Sequence, residues 1–197
     1  FALGKVFERN RLILSLVRPV LRDIALKTGE SMSLYVRDGF ERVVLAREEG
    51  THAIRHAISE GQRMDLHAGA AGKIILAYSP AELVETVLAK AGLPERTAAT
   101  ITDKHAFLRE LENVRAQGHA VSIGERAVDA CALAAPVFEY GHELVGALCI
   151  SGPISRFTVP IRKSYAKLLL AAAIQLSRQL GWRGAADGKR ARPADDN

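Results

Sequence analysis

Apolar residues recur at helical spacing near the start of the chain. Leu12, Leu16 and Val20 stand four residues apart, as they would on one face of an α-helix. The pattern predicts an amphipathic helix over residues 6–28. Proline lacks a backbone N–H and clashes with the preceding turn, so Pro19 predicts a kink or a fresh helical start inside this segment.

Alternating and continuous apolar runs predict the strands. Residues 32–48 read as two strands around Asp38-Gly39, a dipeptide that favours the tight turn of a β-hairpin. Further strands are predicted over residues 53–59, 119–123, 131–138 and 143–151. The sequence EYGH separates the last two and predicts a second hairpin.

Helical spacing returns in four later segments, which are 70–78, 80–91, 103–117 and a long final helix that ends near residue 180. Ser79-Pro80 predicts a cap followed by a proline at the first helical position. Thr102 is the predicted cap of the third segment, and Gly118 ends it. Hairpins that bracket helices predict an α+β domain with a central, mostly antiparallel sheet flanked by helices.

Composition narrows the class of protein. The 197 residues are 48% hydrophobic and 25% charged, which is ordinary for a globular domain. The longest wholly apolar run, residues 168–174, is far too short to cross a bilayer. The two cysteines form no CxxC motif and no disulfide framework, so we expect a reducing, cytoplasmic location.

Basic residues concentrate in the first predicted helix, although the net charge of the chain is only +5. Residues 1–28 contain six lysines and arginines against Glu8 and Asp23. Such a helix either contacts DNA phosphates or forms a solvated surface. Both interpretations stay open, but the solvated surface is favoured because no recognition helix accompanies the charges.

Residues 67–78, HAGAAGKIILAY, place an almost side-chain-free loop at the start of a predicted helix. The phosphate-binding pattern GxxxxGK[ST] fails because Ile74 follows Lys73, and GxGxxG is absent. We therefore predict no nucleotide cofactor. Either the free N–H groups of the helix start bind another anion, or the small residues let the helix pack tightly against a sheet.

Patterns typical of metal sites and catalytic nucleophiles are weak. His52 and His56 lie in a predicted strand, where four residues span about 13 Å, so the two rings cannot share one ion. Neither cysteine lies in a nucleophile motif. Glu125 and Arg126 read as an exposed ion pair of little energetic value. We predict no metal, no cofactor and no catalytic residue.

Three segments carry more specific motifs, namely DLHAGAAGKIILAYSP (65–80), VSIGERAVDACALAAPVF (121–138) and ALCISGPISRFT (147–158). They contain a His-Ala-x-x-x-Gly-Lys loop, an Ala-Ala-Pro-Val-Phe strand and a Ser-Gly-Pro-x-Ser-Arg turn. In this order they resemble the effector-binding domain of IclR-type bacterial transcription regulators. The resemblance extends over residues 3–181 and therefore covers nearly the whole chain.

The resemblance implies a GAF-like fold and a division of the chain. Residues 1–28 would be the linker and first helix that follow a winged helix-turn-helix domain missing from this chain, and residues 29–181 the effector-binding domain. Residues 182–197 lack apolar periodicity and predict a disordered tail. The resemblance also implies a homodimer or homotetramer that contacts operator DNA only through the missing domain and has no membrane partner.

The family's ligand pocket carries over onto particular positions of this sequence. Loop amides fall on Ala70 and Ala71, and the strand positions that face the ligand fall on Cys149 and Ser151. Met64 occupies the position of the apolar wall. The full set of candidate ligand-binding residues is His56, Met64, Ala70, Ala71, Gly72, Ser122, Ala132, Cys149 and Ser151.

These residues predict a small carboxylate or aromatic acid as the effector. The carboxylate would be held by the amides of residues 70–72 and by Ser151, and a body larger than a two-carbon acid would lie against Met64. His56, with its side chain pointing inward, would bind a ring hydroxyl. Binding would favour one domain arrangement and so change the affinity for DNA.

Two other functions remain open from the sequence. A GAF-like domain would serve only subunit assembly if Met64 and its neighbours filled the pocket. A hydrolase-like enzyme would use Cys149 or Ser151 as nucleophile. The sequence pattern offers no base beside either residue, which argues against an enzyme.

Overall fold

The computed structural model describes residues 2–184, with side chains from Arg11 onward. Five α-helices lie in this range: α1 Ala2–Thr28, α2 Ala70–Ala77, α3 Ala81–Lys90, α4 Lys104–Gln117 and α5 Val159–Gln179. Six strands accompany them: β1 Ser31–Asp38, β2 Glu41–Glu48, β3 Arg63–Asp65, β4 Ala120–Ile123, β5 Ala130–Phe138 and β6 Leu144–Pro153. None of the helices in the described range is long and apolar enough to cross a membrane.

The six strands form one sheet in the order β3-β2-β1-β6-β5-β4, and every neighbouring pair is antiparallel. Both predicted hairpins, β1–β2 and β5–β6, are present. The prediction of an α+β domain with an antiparallel sheet flanked by helices is confirmed.

The sheet separates two apolar cores. Helices α1 and α5 pack on one face, where Val17, Leu21 and Leu169 are fully buried with strand residues such as Leu148 and Ile150. Helices α2, α3 and α4 pack on the opposite face, which includes Cys149. Because side chains alternate along a strand, neighbouring residues of β6 belong to different cores.

Helix α1 runs without interruption through Pro19, so no new helix begins there. Pro19 is exposed, whereas Val17 and Leu21 on either side of it are buried against the sheet. The backbone carbonyl that loses its helical partner near a proline is tolerated where water reaches it. Apolar packing of α1 against the sheet therefore outweighs the local effect of the proline.

The strand predicted over residues 53–59 is wrong, because the third strand is Arg63–Asp65. Two backbone carbonyls of this segment accept hydrogen bonds from arginine side chains, not from a neighbouring strand. Arg156 Nη2 donates to the carbonyl of Ile54 and Arg47 Nη2 to that of His56, each at 3.0 Å. Periodicity alone cannot detect this kind of long-range backbone satisfaction.

Two predicted helix caps also differ from the structure. Asp103, rather than Thr102, caps α4, since its carboxylate accepts a hydrogen bond from Ala106 N at 2.8 Å. Ser79 does not cap α3, because its hydroxyl donates back to the carbonyl of Ile75 at 2.7 Å. The predicted end of α4 at Gly118 is confirmed, with φ of 74°. The tail predicted over 182–197 lies, except for its first three residues, outside the described residues.

Candidate ligand-binding site

A cavity lies on the face of the sheet that carries α2. Its walls come from strands β1, β2, β4, β5 and β6, from the start of α2, and from the loops 49–62 and 124–129. The cavity encloses about 40 Å³, and together with its solvent-open mouth it measures about 460 Å³. The small enclosed volume limits the part of a ligand that can be fully buried.

Seven of the nine predicted site residues line this cavity: His56, Ala70, Ala71, Ser122, Ala132, Cys149 and Ser151. Ser122, Ala132 and Ser151 adjoin across three strands, since Ala132 pairs with both serines in the sheet register. Within the described residues, neither serine hydroxyl takes part in a hydrogen bond. The sheet therefore presents two hydroxyls to the cavity.

Met64 and Gly72 are not among the residues that line the cavity. Met64 is buried in the apolar core, with its Sδ 3.9 Å from Arg42 Nη2. A side chain at Gly72 would collide with the carbonyl oxygen of Leu66 and would come within 2.7 Å of Arg42 Nη1. Both residues therefore support Arg42 and the packing of α2.

Arg42 is a buried cavity residue that sequence reasoning missed. Its side chain is only 3% exposed. One guanidinium nitrogen donates to the carbonyl of Asp65, and Nη2 donates to that of Ala68 at 2.9 Å. The β2 register contains a usable signal, because Arg42 lies two residues from buried Val44 and must point to the same face.

The charge of Arg42 is unbalanced. Burial lowers the pKa of this guanidinium below its ordinary value. It stacks 5.6 Å from the ring centroid of Tyr35, but no carboxylate among the described residues pairs with it. Its Nε is buried without a hydrogen-bond partner in this part of the chain. An uncompensated cation with a spare donor at a cavity favours an anionic ligand.

His56 contributes a second buried nitrogen without a partner. Its Nε2 makes no hydrogen bond within the described residues, and the ring lines the cavity. Its backbone carbonyl is held by Arg47, whose Nη1 also donates to Ser33 at 3.0 Å. The prediction placed His56 in a strand, whereas it lies in the 49–62 loop.

Lys73 anchors the start of α2 from beneath. Its ammonium group, 1% exposed, lies 2.7 Å from Glu125 and 2.8 Å from Glu110, and it donates to the carbonyl of Val121. Glu125 also accepts a hydrogen bond from Gly69 N at 3.2 Å. The predicted exposed pair of Glu125 with Arg126 is therefore wrong, because Glu125 is buried and bound to Lys73.

The small residues of HAGAAGK (67–73) have different structural roles. The N–H of Gly69 is already bound to Glu125, so it is not available to a ligand. Ala70 and Ala71 follow in the first turn of α2, where N–H groups have no partner inside the helix, and both line the cavity. Gly72 provides the close approach to Leu66. The loop thus combines tight packing with an open helix start.

The two thiols are poor nucleophiles. Burial raises the pKa of Cys149 to about 12 and that of Cys131 to about 11. Because of these pKa values, both thiols are almost wholly protonated at neutral pH, and thiolate is the reactive form. Within the described residues, the one hydrogen bond of the Cys149 thiol is the one it donates to the carbonyl of Ile150 at 3.7 Å, so no base contacts it there.

Metal chelation finds no support in the described residues, which contain no group of three or more histidine, cysteine or acidic side chains suited to an ion. His52 does not lie in a strand either. Its Nε2 lies 3.8 Å from buried Glu30, and Glu30 in turn accepts two hydrogen bonds from Arg156 at 2.5 and 2.7 Å. This cluster fixes the 49–62 loop to the start of β1.

Residues 8–178 match the family model described as bacterial transcriptional regulator IclR C-terminal. The chain belongs to the IclR family. This confirms the resemblance seen in the three motif segments, and since the family consists of transcription regulators, it also confirms that the domain is not an enzyme.

Named IclR relatives agree with this assignment. The HTH-type transcriptional repressor AllR of Klebsiella pneumoniae is 33% identical over 187 residues, which are 95% of this chain and 69% of the relative. AllR of Escherichia coli K12 is 31% identical over 181 residues, 92% of this chain and 67% of the relative. The present chain therefore spans about two thirds of these repressors.

Solved IclR structures share the fold. The Thermotoga maritima IclR has a TM-score of 0.83 at 32% identity, and the match covers 90% of this chain and 74% of that one. A double mutant of the inducer-binding domain of the PobR transcription factor from Acinetobacter has a TM-score of 0.76 at 26% identity, covering 83% and 96%. That domain was solved as a complex with 3-hydroxybenzoic acid.

Proposed function

We propose that this IclR domain binds a small carboxylate in the cavity and thereby controls DNA binding by an N-terminal winged helix of the full regulator. One observation supports a carboxylate as the ligand. The buried guanidinium of Arg42 lacks a carboxylate partner among the described residues, and its Nε is unpaired at the cavity. A ligand carboxylate beside Arg42 would balance the buried charge.

The remaining polar groups favour a hydroxyl or oxo group beside that carboxylate. Ser122 and Ser151 present hydroxyls, and His56 presents Nε2. A neutral imidazole nitrogen is a donor in one tautomer and an acceptor in the other. A ligand hydroxyl satisfies it in either case, because a hydroxyl both donates and accepts.

The size of the cavity favours a short aliphatic acid over an aromatic one. An engineered cavity of about 150 Å³ binds benzene, whereas this cavity encloses only about 40 Å³. The 3-hydroxybenzoic acid complex of the PobR domain supports a carboxylate with a hydroxyl as the general ligand type. An aromatic acid would enter here only after outward movement of the 49–62 loop.

A route from the ligand to the N-terminal helix runs along the 49–62 loop. His56 lines the cavity, and Glu60 at the end of the same loop forms two hydrogen bonds of 3.0 Å with Arg18 of α1. A ligand that binds one loop position better would bias the position of α1. We place the full regulator in the cytoplasm as a homodimer or homotetramer, as its family membership suggests.

Thermal unfolding against a panel of acids tests this proposal. Glycolate, lactate, pyruvate and 3-hydroxybenzoate would be added to the wild type, to Arg42→Gln and to the control Arg63→Gln. Arg63 is half exposed and bound to Asp38 and Glu41 away from the cavity. A true effector at about 100 times its Kd adds about 2.7 kcal/mol, or about 5–10 °C for a domain of this size.

We expect that rise in the wild type and in Arg63→Gln, and its loss in Arg42→Gln. Ser151→Ala should reduce it, because that hydroxyl lines the cavity. A panel without any shift would favour the alternative function, a domain that serves only subunit assembly. Light scattering of the unliganded chain would then show whether assembly persists without an effector.

A further inference from the structure

The cavity wall carries two positive charges and no negative one. Arg42 and Arg126 both line it, whereas no aspartate or glutamate does. Arg126 is half-buried, and within the described residues it makes no hydrogen bond and no ion pair. The formal charge of the wall is therefore +2.

The nearest carboxylates are committed to other cations. Glu125, adjacent to Arg126 in sequence, is bound to Lys73 at 2.7 Å and to Gly69 N. Asp65, whose carbonyl accepts from Arg42, places its carboxylate 2.7 Å from Arg96. Asp65 acts on Arg42 only at a distance, since its charge raises the Arg42 pKa by less than the charge of Arg126 lowers it, and neither acid forms an ion pair with Arg42 or Arg126.

The two arginines act on each other and on the same space. The charge of Arg126 lowers the pKa of Arg42 further, in addition to the larger effect of burial. The first turn of α2 borders the same cavity through Ala70 and Ala71, and helix N-termini carry a partial positive charge. A single negative charge would relieve only part of this repulsion.

The position of Arg126 is set by its loop. Thr97 donates to the carbonyl of Gly124 at 2.6 Å, and Thr100 donates to that of Glu125 at 2.7 Å. These bonds fix the backbone immediately before Arg126. Arg126 therefore extends from an anchored backbone and is half-buried, whereas Arg42 on the same wall is almost fully buried.

We propose that the cavity selects a short dicarboxylate, with one carboxylate on Arg42 and the second on Arg126. This inference rests on the proposed function and specifies its ligand. A chain of two to four carbons suits a cavity that encloses about 40 Å³ and widens to about 460 Å³ with its solvent-open mouth, because the second carboxylate can extend into the mouth. The inner carboxylate is fixed by a buried partner, and the outer one can vary in distance because Arg126 is half-buried.

Isothermal titration calorimetry tests the selection. Oxalate, malonate and succinate would be compared with acetate, propionate and glycolate, using the whole chain. We expect at least one dicarboxylate to bind ten times or more tightly than the best monocarboxylate. In Arg126→Gln that ratio should fall to about one, and in the control Arg109→Gln, an exposed arginine on α4, it should stay unchanged.

The outcomes separate this inference from the proposed function. Equal binding of both acid classes, or a ratio that survives Arg126→Gln, would overturn the dicarboxylate and leave the carboxylate sensor standing. Sulfate that binds as tightly as the best dicarboxylate would also overturn it, because the site would then take dianions in general. A folded protein that binds none of the acids would refute both. Circular dichroism of each variant confirms that it is folded.

Discussion

Nζ of Lys73 and Oε1 of Glu125 lie 2.7 Å apart at a place where the lysine side chain is 1% exposed. The two residues come from α2 and from the loop after β4, and Glu110 of α4 completes the cluster. This buried ion pair therefore joins three elements around the start of the helix that borders the cavity. Its removal should have a large effect on stability.

Lys73→Met should lower the free energy of unfolding by about 3–5 kcal/mol, because it leaves Glu125 and Glu110 buried or half-buried without a cation. The matched control is Lys104→Met. Lys104 lies 2.6 Å from Glu85, but both side chains are about half exposed, so its loss should cost less than about 1 kcal/mol. Urea denaturation measures both changes, and equal losses would contradict the structural role of Lys73.

Gly72→Ala should destabilise the domain by more than Gly92→Ala. An added Cβ at residue 72 would collide with Leu66 O, whereas at residue 92 no atom lies within 4 Å. Gly92 has φ of +67°, so alanine there carries only a backbone cost of about 1–2 kcal/mol. Thermal unfolding of the two variants gives the order, and a Gly72→Ala protein as stable as wild type would show that α2 can shift freely.

Glu60→Gln should change how stability depends on acid. The hydrogen bonds from Arg18 hold the pKa of Glu60 below its ordinary value of 4.5. A carboxyl with a lowered pKa in the folded state stabilises the protein above pH 4.5, and this contribution is lost as the pH falls through the lowered pKa. The stability gap between wild type and Glu60→Gln should therefore close in acid.

The size of that gap at neutral pH should be about 1 kcal/mol or less, because both side chains of the pair are 43% exposed. Urea denaturation at a series of pH values measures it. Arg18→Gln should produce a similar loss, and the double variant should be little worse than either single one. Additive losses would show that Arg18 and Glu60 do not stabilise the fold as a pair.

Both thiols should resist alkylation in the native protein. Cys149 and Cys131 are 3% and 1% exposed, and their pKa values are raised to about 12 and about 11. Iodoacetamide at mildly alkaline pH should modify neither residue within hours, whereas both should react fully in concentrated guanidinium chloride. Mass spectrometry of the intact chain counts the adducts. Rapid labelling of Cys149 in the native protein would contradict this prediction and support Cys149 as a nucleophile.

Local patterns were sufficient for most of the elements. The turn at Asp38-Gly39 and the stop at Gly118 depend on backbone conformations that few other residues adopt, and both occur where predicted. The strand predicted over residues 53–59 was wrong, because carbonyls of this segment accept hydrogen bonds from the side chains of Arg47 and Arg156 and not from a neighbouring strand.

In the candidate site, too, local sequence patterns did not reveal contacts between residues that are distant in sequence. Small residues at positions 70 and 71 were found from motif resemblance, and they line the cavity. Arg42 and Lys73 were not assigned as buried charges, since a charged side chain is buried only when distant groups satisfy it. Lys73 and Glu110 are 37 residues apart, and Arg42 and Ala68 are 26 apart. Such partners cannot be read from local periodicity.

The alternation of side chains along β6 has a consequence for how such regulators diverge. Cys149 borders the ligand cavity, while its neighbours Leu148 and Ile150 pack beneath α1 and α5. Substitutions at every second position of the strand can therefore alter ligand preference without disturbing the opposite core. Under the proposed function, a few such replacements after a gene duplication would yield a sensor for a different metabolite on an unchanged scaffold.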